Sequence, residues 1–416
     1  MPDRHIDYLL IGAGLAAGNC ARWLREEGAE GSILLVGREP DPPYERPDCS
    51  KGYLRGEKTR EQTLFRAESF YAEQEIELLT RSSVTALELD GRAVKLASKE
   101  VVSFGKALIA TGANVRRLDV DGCHLEQIHY LRTLGNADAI RQGVADVEEV
   151  VLIGGSYIGC EVAASLTMLG KSCTIVMQED NVLERTFGAS AGRYFQELLQ
   201  EHGVTIHGGD ELARFEGDHH VRRVVTRGGL ELDAEAVVVG AGVTPDVSLA
   251  IKAGLRIGEQ GGVRCDSRLR TAVEGLFAAG DICEYESPIR GGEPVRIEHW
   301  DVAINQGKTV ALNMLGRDVP HDTVPYFFSD IGDWGGLEYV GPAYRWDEEI
   351  LRGSYADGSF TNFYLQDGAV AAALTVGRSD DLDVARRLIV SHDRLSADDR
   401  AALADESSDL AAVASG

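Results

Sequence analysis

Two glycine-rich turns, one near the start of the chain and one in its middle, limit what this sequence can become. The first follows the apolar run Tyr8-Leu9-Leu10-Ile11 and reads Gly12-Ala13-Gly14-Leu15-Ala16-Ala17-Gly18, ahead of a helical stretch through Trp23. Gly12 permits a tight turn, Gly14 lets the backbone approach a pyrophosphate, and small Ala17 lets the helix pack on its strand. That helix points its positive end at the phosphates. A second strand, Ser32 to Val36, ends in Gly37-Arg38-Glu39. Glu39 lies about 25 residues beyond Gly14, near the interval expected of a ribose-binding carboxylate. A lone G-x-G-x-x-A is weak evidence; the strand, helix and acid around it strengthen the reading.

The pattern then recurs. Val150 to Ile153 leads into Gly154-Gly155-Ser156-Tyr157-Ile158-Gly159, followed by a helix expected from Glu161 to Leu169 and a strand from Ser172 to Val176. Two such units predict an α/β chain with two Rossmann-like dinucleotide-binding domains. Ser156 stands where the middle glycine belongs. Its Cβ crowds the approach of a pyrophosphate, so that binding is looser or its hydroxyl donates to a phosphate. After the second strand, Met177-Gln178-Glu179-Asp180 contain no arginine or lysine. A 2′-phosphate there meets negative charge, which favours NADH over NADPH, although Lys171 and Arg185 lie nearby.

Composition excludes several classes. At 416 residues, 44% of them hydrophobic, the chain can bury two or three cores. No apolar run approaches the roughly 20 residues of a membrane span, and the N-terminus enters a strand at once, so a cytoplasmic protein is expected. A net charge of −25 argues against nucleic-acid binding. The seven cysteines form no C-x-x-C pair and no metal-ligand spacing, as suits a reducing compartment.

Further motifs follow in a fixed order: Pro43-Tyr44-Glu45-Arg46-Pro47-Asp48-Cys49-Ser50-Lys51, Ala110-Thr111-Gly112 with Arg116, Gly280-Asp281, Glu298-His299-Trp300 leading into Gln306-Gly307, and Val324 to Asp330. In this order the chain resembles the two-dinucleotide flavoproteins, and within them the branch of ferredoxin reductases and apoptosis-inducing factor. The resemblance implies an FAD-binding domain over 1–112 and 241–319, interrupted by an NAD-binding domain over 113–240. A C-terminal α+β domain follows over 320–416, with a weak helix or frayed tail from about residue 396. Gly12, Gly14 and Ala16 then line the FAD pyrophosphate, with Arg38 and Glu39 near the adenosine. Arg46, Lys51, Val84, Thr111 and Arg116 fall at flavin-contacting positions, Asp281 at the ribityl or pyrophosphate portion, and Trp300 beside the isoalloxazine, with Glu298 and His299 also at FAD-binding positions. On the NAD side the matching positions are Gly154, Gly155, Tyr157, Ile158, Glu161, Glu179 and Gly242.

Lys51 and Glu161 are the expected catalytic constellation, with Trp300 beside them. The resemblance implies that Lys51 sits near flavin N5, paired with Glu161. A cation there stabilises an anionic reduced flavin, and a carboxylate holds the cation in place. The bland alternative is a structural ion pair. Without a dithiol relay, electrons leave the flavin directly, which fits delivery to a small iron–sulfur carrier such as a [2Fe–2S] ferredoxin or rubredoxin. Two alternatives stand beside this. One is an apoptosis-inducing-factor-like NADH oxidoreductase or redox sensor, which favours a homodimer. The other is a single-cysteine NADH oxidase or peroxidase using Cys49, whose thiolate Arg46 and Lys51 would stabilise.

From about residue 320 short strands are expected at Glu349 to Tyr355, Thr361 to Leu365 and Ala369 to Thr375, with a hairpin turn at Asp367-Gly368. The aromatics between Tyr326 and Trp346 read as core and dimer packing, with Trp300 and Trp334 as candidate routes for electron exit.

Overall fold

The computed structural model describes residues 2–342 and 345–413, and the chain divides into two compact units. The first takes the chain up to Glu45, then Glu61–Asn114 and Thr244–Tyr326; the second takes Arg46–Arg60, Val115–Val243 and the chain from Phe327.

In the first unit the central sheet runs in the order Ile76–Leu79, Ile33–Val36, Arg4–Ile11, Val101–Ile109, Ala93–Leu96, Val84–Glu88, with Leu276–Ala278 also paired to Val101–Ile109. The strands from Ile76–Leu79 to Val101–Ile109, and Leu276–Ala278, are parallel. Within them Leu9 to Ile11, Ile33 to Val36 and Ala107 to Ile109 are all buried. Continuous apolar runs of this kind belong to strands covered on both faces. The helix Leu15–Glu26 lies against Trp300–Met314. A Cβ at Gly307 would stand 2.3 Å from the Ala16 carbonyl oxygen. The Gln306-Gly307 motif is therefore explained by close helix packing.

In the second unit a parallel sheet runs Thr205–His207, Ser172–Val176, Glu149–Ile153, Ala236–Val239, Ile128–Tyr130. The helix expected from Glu161 begins earlier and spans Tyr157–Met168. Ser156 takes the N-cap position with φ −83° and ψ −178°, so the glycine turn feeds the helix without an intervening loop. The three expected C-terminal strands appear as Glu348–Ser354, Ser359–Gln366 and Ala369–Val376, in a sheet completed by Gly335–Val340 and Tyr326–Ile331. Asp367 and Gly368 both adopt positive φ, 52° and 83°, as a two-residue hairpin of the primed type demands. The aromatics here build core. The Tyr339 ring lies 5.5 Å from Phe187, and Trp346 4.7 Å from Tyr364. Residues 343–344 of that stretch lie outside the described residues.

Of the two forms expected for the tail, the structure has the helical one. The tail forms Ala397–Ala404 and Leu410–Val413, and its last three residues lie outside the described ones. Ser396 caps the first of these helices in a capping box with Asp399. Arg352, only 5% exposed, binds the segment between them. Its Nη1 donates to the Asp405 carbonyl at 2.5 Å, and its Nη2 to those of Glu406 and Ser408 at 3.2 and 3.1 Å. The strand-borne guanidinium thus replaces the partners that exposed helix ends find in water. Arg352→Ala should cost about 2–4 kcal/mol, because several carbonyls lose a charged donor at once. Hydrogen exchange over 397–413 should accelerate with little change in the sheet; equal acceleration everywhere would contradict this assignment.

Candidate active site

Within the first unit, the residues expected to hold a dinucleotide gather at the carboxyl ends of parallel strands. Gly12 to Gly14 follow Arg4–Ile11, Arg38 and Glu39 follow Ile33–Val36, Thr111 follows Val101–Ile109, and Asp281 follows Leu276–Ala278. This is where open α/β sheets leave a crevice. The two glycines of the turn differ in role. Gly12 has φ +110°, and a Cβ there would lie 2.1 Å from the Ala110 carbonyl oxygen. A Cβ at Gly14 would meet nothing within 4 Å. Gly12 is therefore required by the fold, whereas Gly14 leaves open backbone where a pyrophosphate fits. Ala16 turns its side chain into the core, and only its amide, in the first helical turn with no intrahelical acceptor, can serve a phosphate.

Around this crevice the polar groups are already oriented. The Glu39 carboxylate accepts from Tyr44 Oη at 2.6 Å. Arg38 donates to Asp246 at 2.8 Å and to Asn114 at 2.5 Å. Thr111 Oγ1 donates to the Asp246 carbonyl at 2.7 Å. Gly280, at φ +76°, donates its amide to Gln306 Oε1 at 2.8 Å, fixing the turn that carries Asp281. Val84 begins the edge strand Val84–Glu88. Glu298 pairs with Arg296 on the surface, and His299 occupies the N-cap of Trp300–Met314. Desolvation pushes the His299 imidazole down to about 4, against a smaller opposing pull from Asp281, so it is neutral near pH 7. Trp300 donates its indole N–H to the Glu45 carboxylate.

The second unit repeats the arrangement. Gly154 and Gly155 follow Glu149–Ile153, Glu179 follows Ser172–Val176, and Gly242 lies just beyond Ala236–Val239. Gly154 has φ +106°, with a would-be Cβ 2.6 Å from the Gly240 carbonyl oxygen. The Ser156 hydroxyl points at that same carbonyl, 3.4 Å away, so it is engaged by a neighbouring loop. Tyr157 packs its ring 4.4 Å from Phe327, and Ile158 is half-buried beside it. Glu179 is ion-paired with Arg185. Arg116 donates its amide to the Gly242 carbonyl at 3.0 Å, and Arg46 its guanidinium to the Arg132 carbonyl at 2.7 Å. Trp334 stacks on His202 with centroids 4.3 Å apart.

Lys51 and Glu161 meet in this unit. Lys51 Nζ lies 2.6 Å from Glu161 Oε1, with side chains 12% and 5% exposed, and 5.5 Å from the Phe328 ring centroid. The lysine arrives on a tight turn, Arg46–Ser50, and the glutamate on the second turn of Tyr157–Met168. Two hydroxyls complete the carboxylate: Ser50 Oγ donates at 2.5 Å and Ser329 Oγ at 2.6 Å. Burial raises the Asp330 carboxyl above its ordinary range; Lys51 opposes that shift and Glu161 adds to it. Ser50 and Ser329 stand inside motifs visible in the sequence, but nothing in a linear pattern assigns them a common acceptor. Ser165, which holds the Ser50 carbonyl at 2.6 Å, carries no signal beyond its place one turn after Glu161. Cys49, adjacent to this cluster in sequence, is 3% exposed.

Comparisons with known proteins identify the family of the chain. Residues 6–307 match the pyridine nucleotide-disulphide oxidoreductase family, and residues 326–414 match a reductase C-terminal domain. The chain is 34% identical over 408 residues to the 5,5′-dehydrodivanillate O-demethylase ferredoxin reductase subunit of Sphingobium sp., covering 98% of each chain. It is similar to the crystal structure of a ferredoxin reductase from Rhodopseudomonas palustris, with TM-score 0.92, 33% identity and coverage of 98% and 99%. A covalent putidaredoxin reductase–putidaredoxin complex matches with TM-score 0.92, 32% identity and coverage of 100% and 99%. The chain is a member of the pyridine nucleotide-disulphide oxidoreductase family, among its ferredoxin reductases.

Proposed function

We propose that this protein is an FAD-dependent NADH oxidoreductase that delivers electrons to a [2Fe–2S] ferredoxin-type carrier. The observation that carries the reading is the buried Lys51–Glu161 pair in a chain with no redox dithiol motif. Bound FAD supplies the exchange between a two-electron donor and one-electron acceptors. Gly12, Gly14 and the amide of Ala16 would hold its pyrophosphate, Glu39 its ribose, and Asp281 its polyol. Arg46, Thr111, Arg116, Val84 and the Glu298-His299-Trp300 turn would surround the ring. Neutral His299 adds no second cation. Lys51 would place positive charge where negative charge develops, and Glu161 keeps it there. We assign FAD to residues 1–112 and 241–319, NAD to 113–240, and the remainder to a C-terminal domain.

NADH is favoured over NADPH by Glu179, since its carboxylate would repel a 2′-phosphate bound after that strand. Its pairing with Arg185 lowers the repulsion without supplying an uncompensated cation. Scattered cysteines support a cytoplasmic location. Among the described residues no helix is long and apolar enough to cross a membrane.

The test is an anaerobic titration of the yellow protein with NADH and with NADPH, followed by a [2Fe–2S] ferredoxin, rubredoxin, oxygen and peroxide in turn. Rapid bleaching by NADH and reoxidation by the ferredoxin are expected; a protein that neither binds nor regains flavin refutes the assignment. Cys49→Ser should leave ferredoxin turnover within about twofold, since a thiol with so little exposure behaves as a small apolar side chain. Loss of turnover with flavin reduction intact would instead favour a cysteine-based peroxidase.

A further inference from the structure

Glu161 receives more than its lysine. Oε1 accepts from Lys51 Nζ at 2.6 Å and Ser329 Oγ at 2.6 Å, while Oε2 accepts from Ser50 Oγ at 2.5 Å. The three partners that form this knot besides the lysine are almost wholly enclosed: Glu161 is 4% exposed, Ser50 2% and Ser329 1%. Ser50 is gripped a second time, because Ser165 Oγ donates to its carbonyl at 2.6 Å and Arg55 Nη1 donates to Ser165 Oγ at 3.2 Å. Glu161 and Ser165 are four apart on one helix face. The helix Tyr157–Met168 therefore holds the residue just before Lys51 by both its side chain and its backbone.

A lysine on a four-carbon stem has little orientation of its own. A carboxylate with a single partner can swing and carry the ammonium with it. With both oxygens engaged by fixed hydroxyls, the Glu161 plane is set, and Lys51 Nζ has one place to go. Enclosing hydroxyls costs free energy unless they are bonded, and here they spend those bonds on the carboxylate.

We propose that Ser50 and Ser329 are positioning residues for Lys51, acting through Glu161 to hold the ammonium where the flavin is reduced. This rests on the assignment of Lys51 to that step. Ser329 belongs to the segment matched by the reductase C-terminal domain, so this segment contributes to the redox chemistry as well as to packing.

The experiment uses the FAD-loaded protein and the variants Ser50→Ala, Ser329→Ala, Ser329→Thr, Lys51→Ala and Lys51→Ala with Ser329→Ala. Three quantities are read: the limiting rate of flavin reduction by NADH, the Kd of NADH, and the flavin midpoint potential. Each serine-to-alanine change should slow reduction about tenfold, the loss of one hydrogen bond to a charged group. NADH Kd should stay within about twofold. The midpoint should fall by about 30 mV, the tenfold equivalent for a two-electron couple. Ser329→Thr should restore both rate and potential. In the Lys51→Ala background, Ser329→Ala should add nothing. Serine variants that lose thermal stability yet keep rate and potential within twofold overturn the proposal, as does a serine effect that persists in full without Lys51. If Ser329→Ala does not fold, Ser50→Ala decides by the same thresholds. Failure of NADH to reduce the wild-type flavin would instead sink the functional assignment itself.

Discussion

Gly14→Val should yield a folded, colourless protein, whereas Gly12→Ala should yield little folded protein at all. The contrast follows from what each added Cβ meets. At Gly12 it strikes the Ala110 carbonyl oxygen at 2.1 Å in a φ +110° conformation, and backbone cannot yield cheaply there. At Gly14 it enters open space, with φ −92° and ψ −173° that any residue adopts. The valine branches would then occupy the room a pyrophosphate needs. We expect FAD affinity to fall by at least about 100-fold, the loss of roughly 3 kcal/mol of close phosphate contact. Circular dichroism and thermal melting of the flavin-free proteins should show Gly14→Val close to flavin-free wild type. Retention of stoichiometric flavin by Gly14→Val would move the pyrophosphate away from this turn.

The second large effect concerns the ion pair. Lys51→Ala should slow flavin reduction by NADH on the order of 100-fold, the usual consequence of removing one group aimed at developing charge. Glu161→Gln should do similar damage and also destabilise the fold by about 3–5 kcal/mol, because Lys51 is left as an uncompensated enclosed cation. The double replacement Lys51→Met with Glu161→Leu separates the two roles. Stability should largely return, since apolar side chains replace a pair whose desolvation is costly, while the reduction rate stays low. Stopped-flow absorbance and thermal melts on the same preparations distinguish the outcomes. If the double variant recovers both stability and rate, the pair is structural.

Much of this molecule can be read from residue order, and the reasons are local. The strand–glycine–helix units at Gly12 and Gly154 are legible because turn, strand and helix signals lie within a few residues of one another. Asp367-Gly368 is legible because two successive positive φ values admit few residue pairs. Lys51 and Glu161 are legible only through resemblance, since no periodicity links residues so far apart. The hydroxyls on Glu161 escaped for the same reason: Ser50 and Ser329 acquire meaning only when three distant segments converge. The tail reads as either weak helix or frayed end because its anchor, Arg352, sits in a strand well upstream, and alanine-, serine- and aspartate-rich sequence does not name a partner for its carbonyls. The helix starts ahead of the expected Glu161 because Ser156, which reads as a flaw in a glycine motif, is the N-cap position that begins it.

The short piece Arg46–Arg60 is grouped with the second unit although both of its flanks belong to the first. For anyone exchanging parts between such proteins this has a practical meaning. A chimera that transplants only residues 115–243 brings a new Glu161 but keeps the host's Ser50 and Lys51, so donor and acceptor of the pair come from different parents. A faithful graft must carry 46–60 along with the block it serves, and the segment from Phe327 that supplies Ser329. With Ser329 supplied from the chain beyond Phe327, the cluster around that pair is one module written in three places.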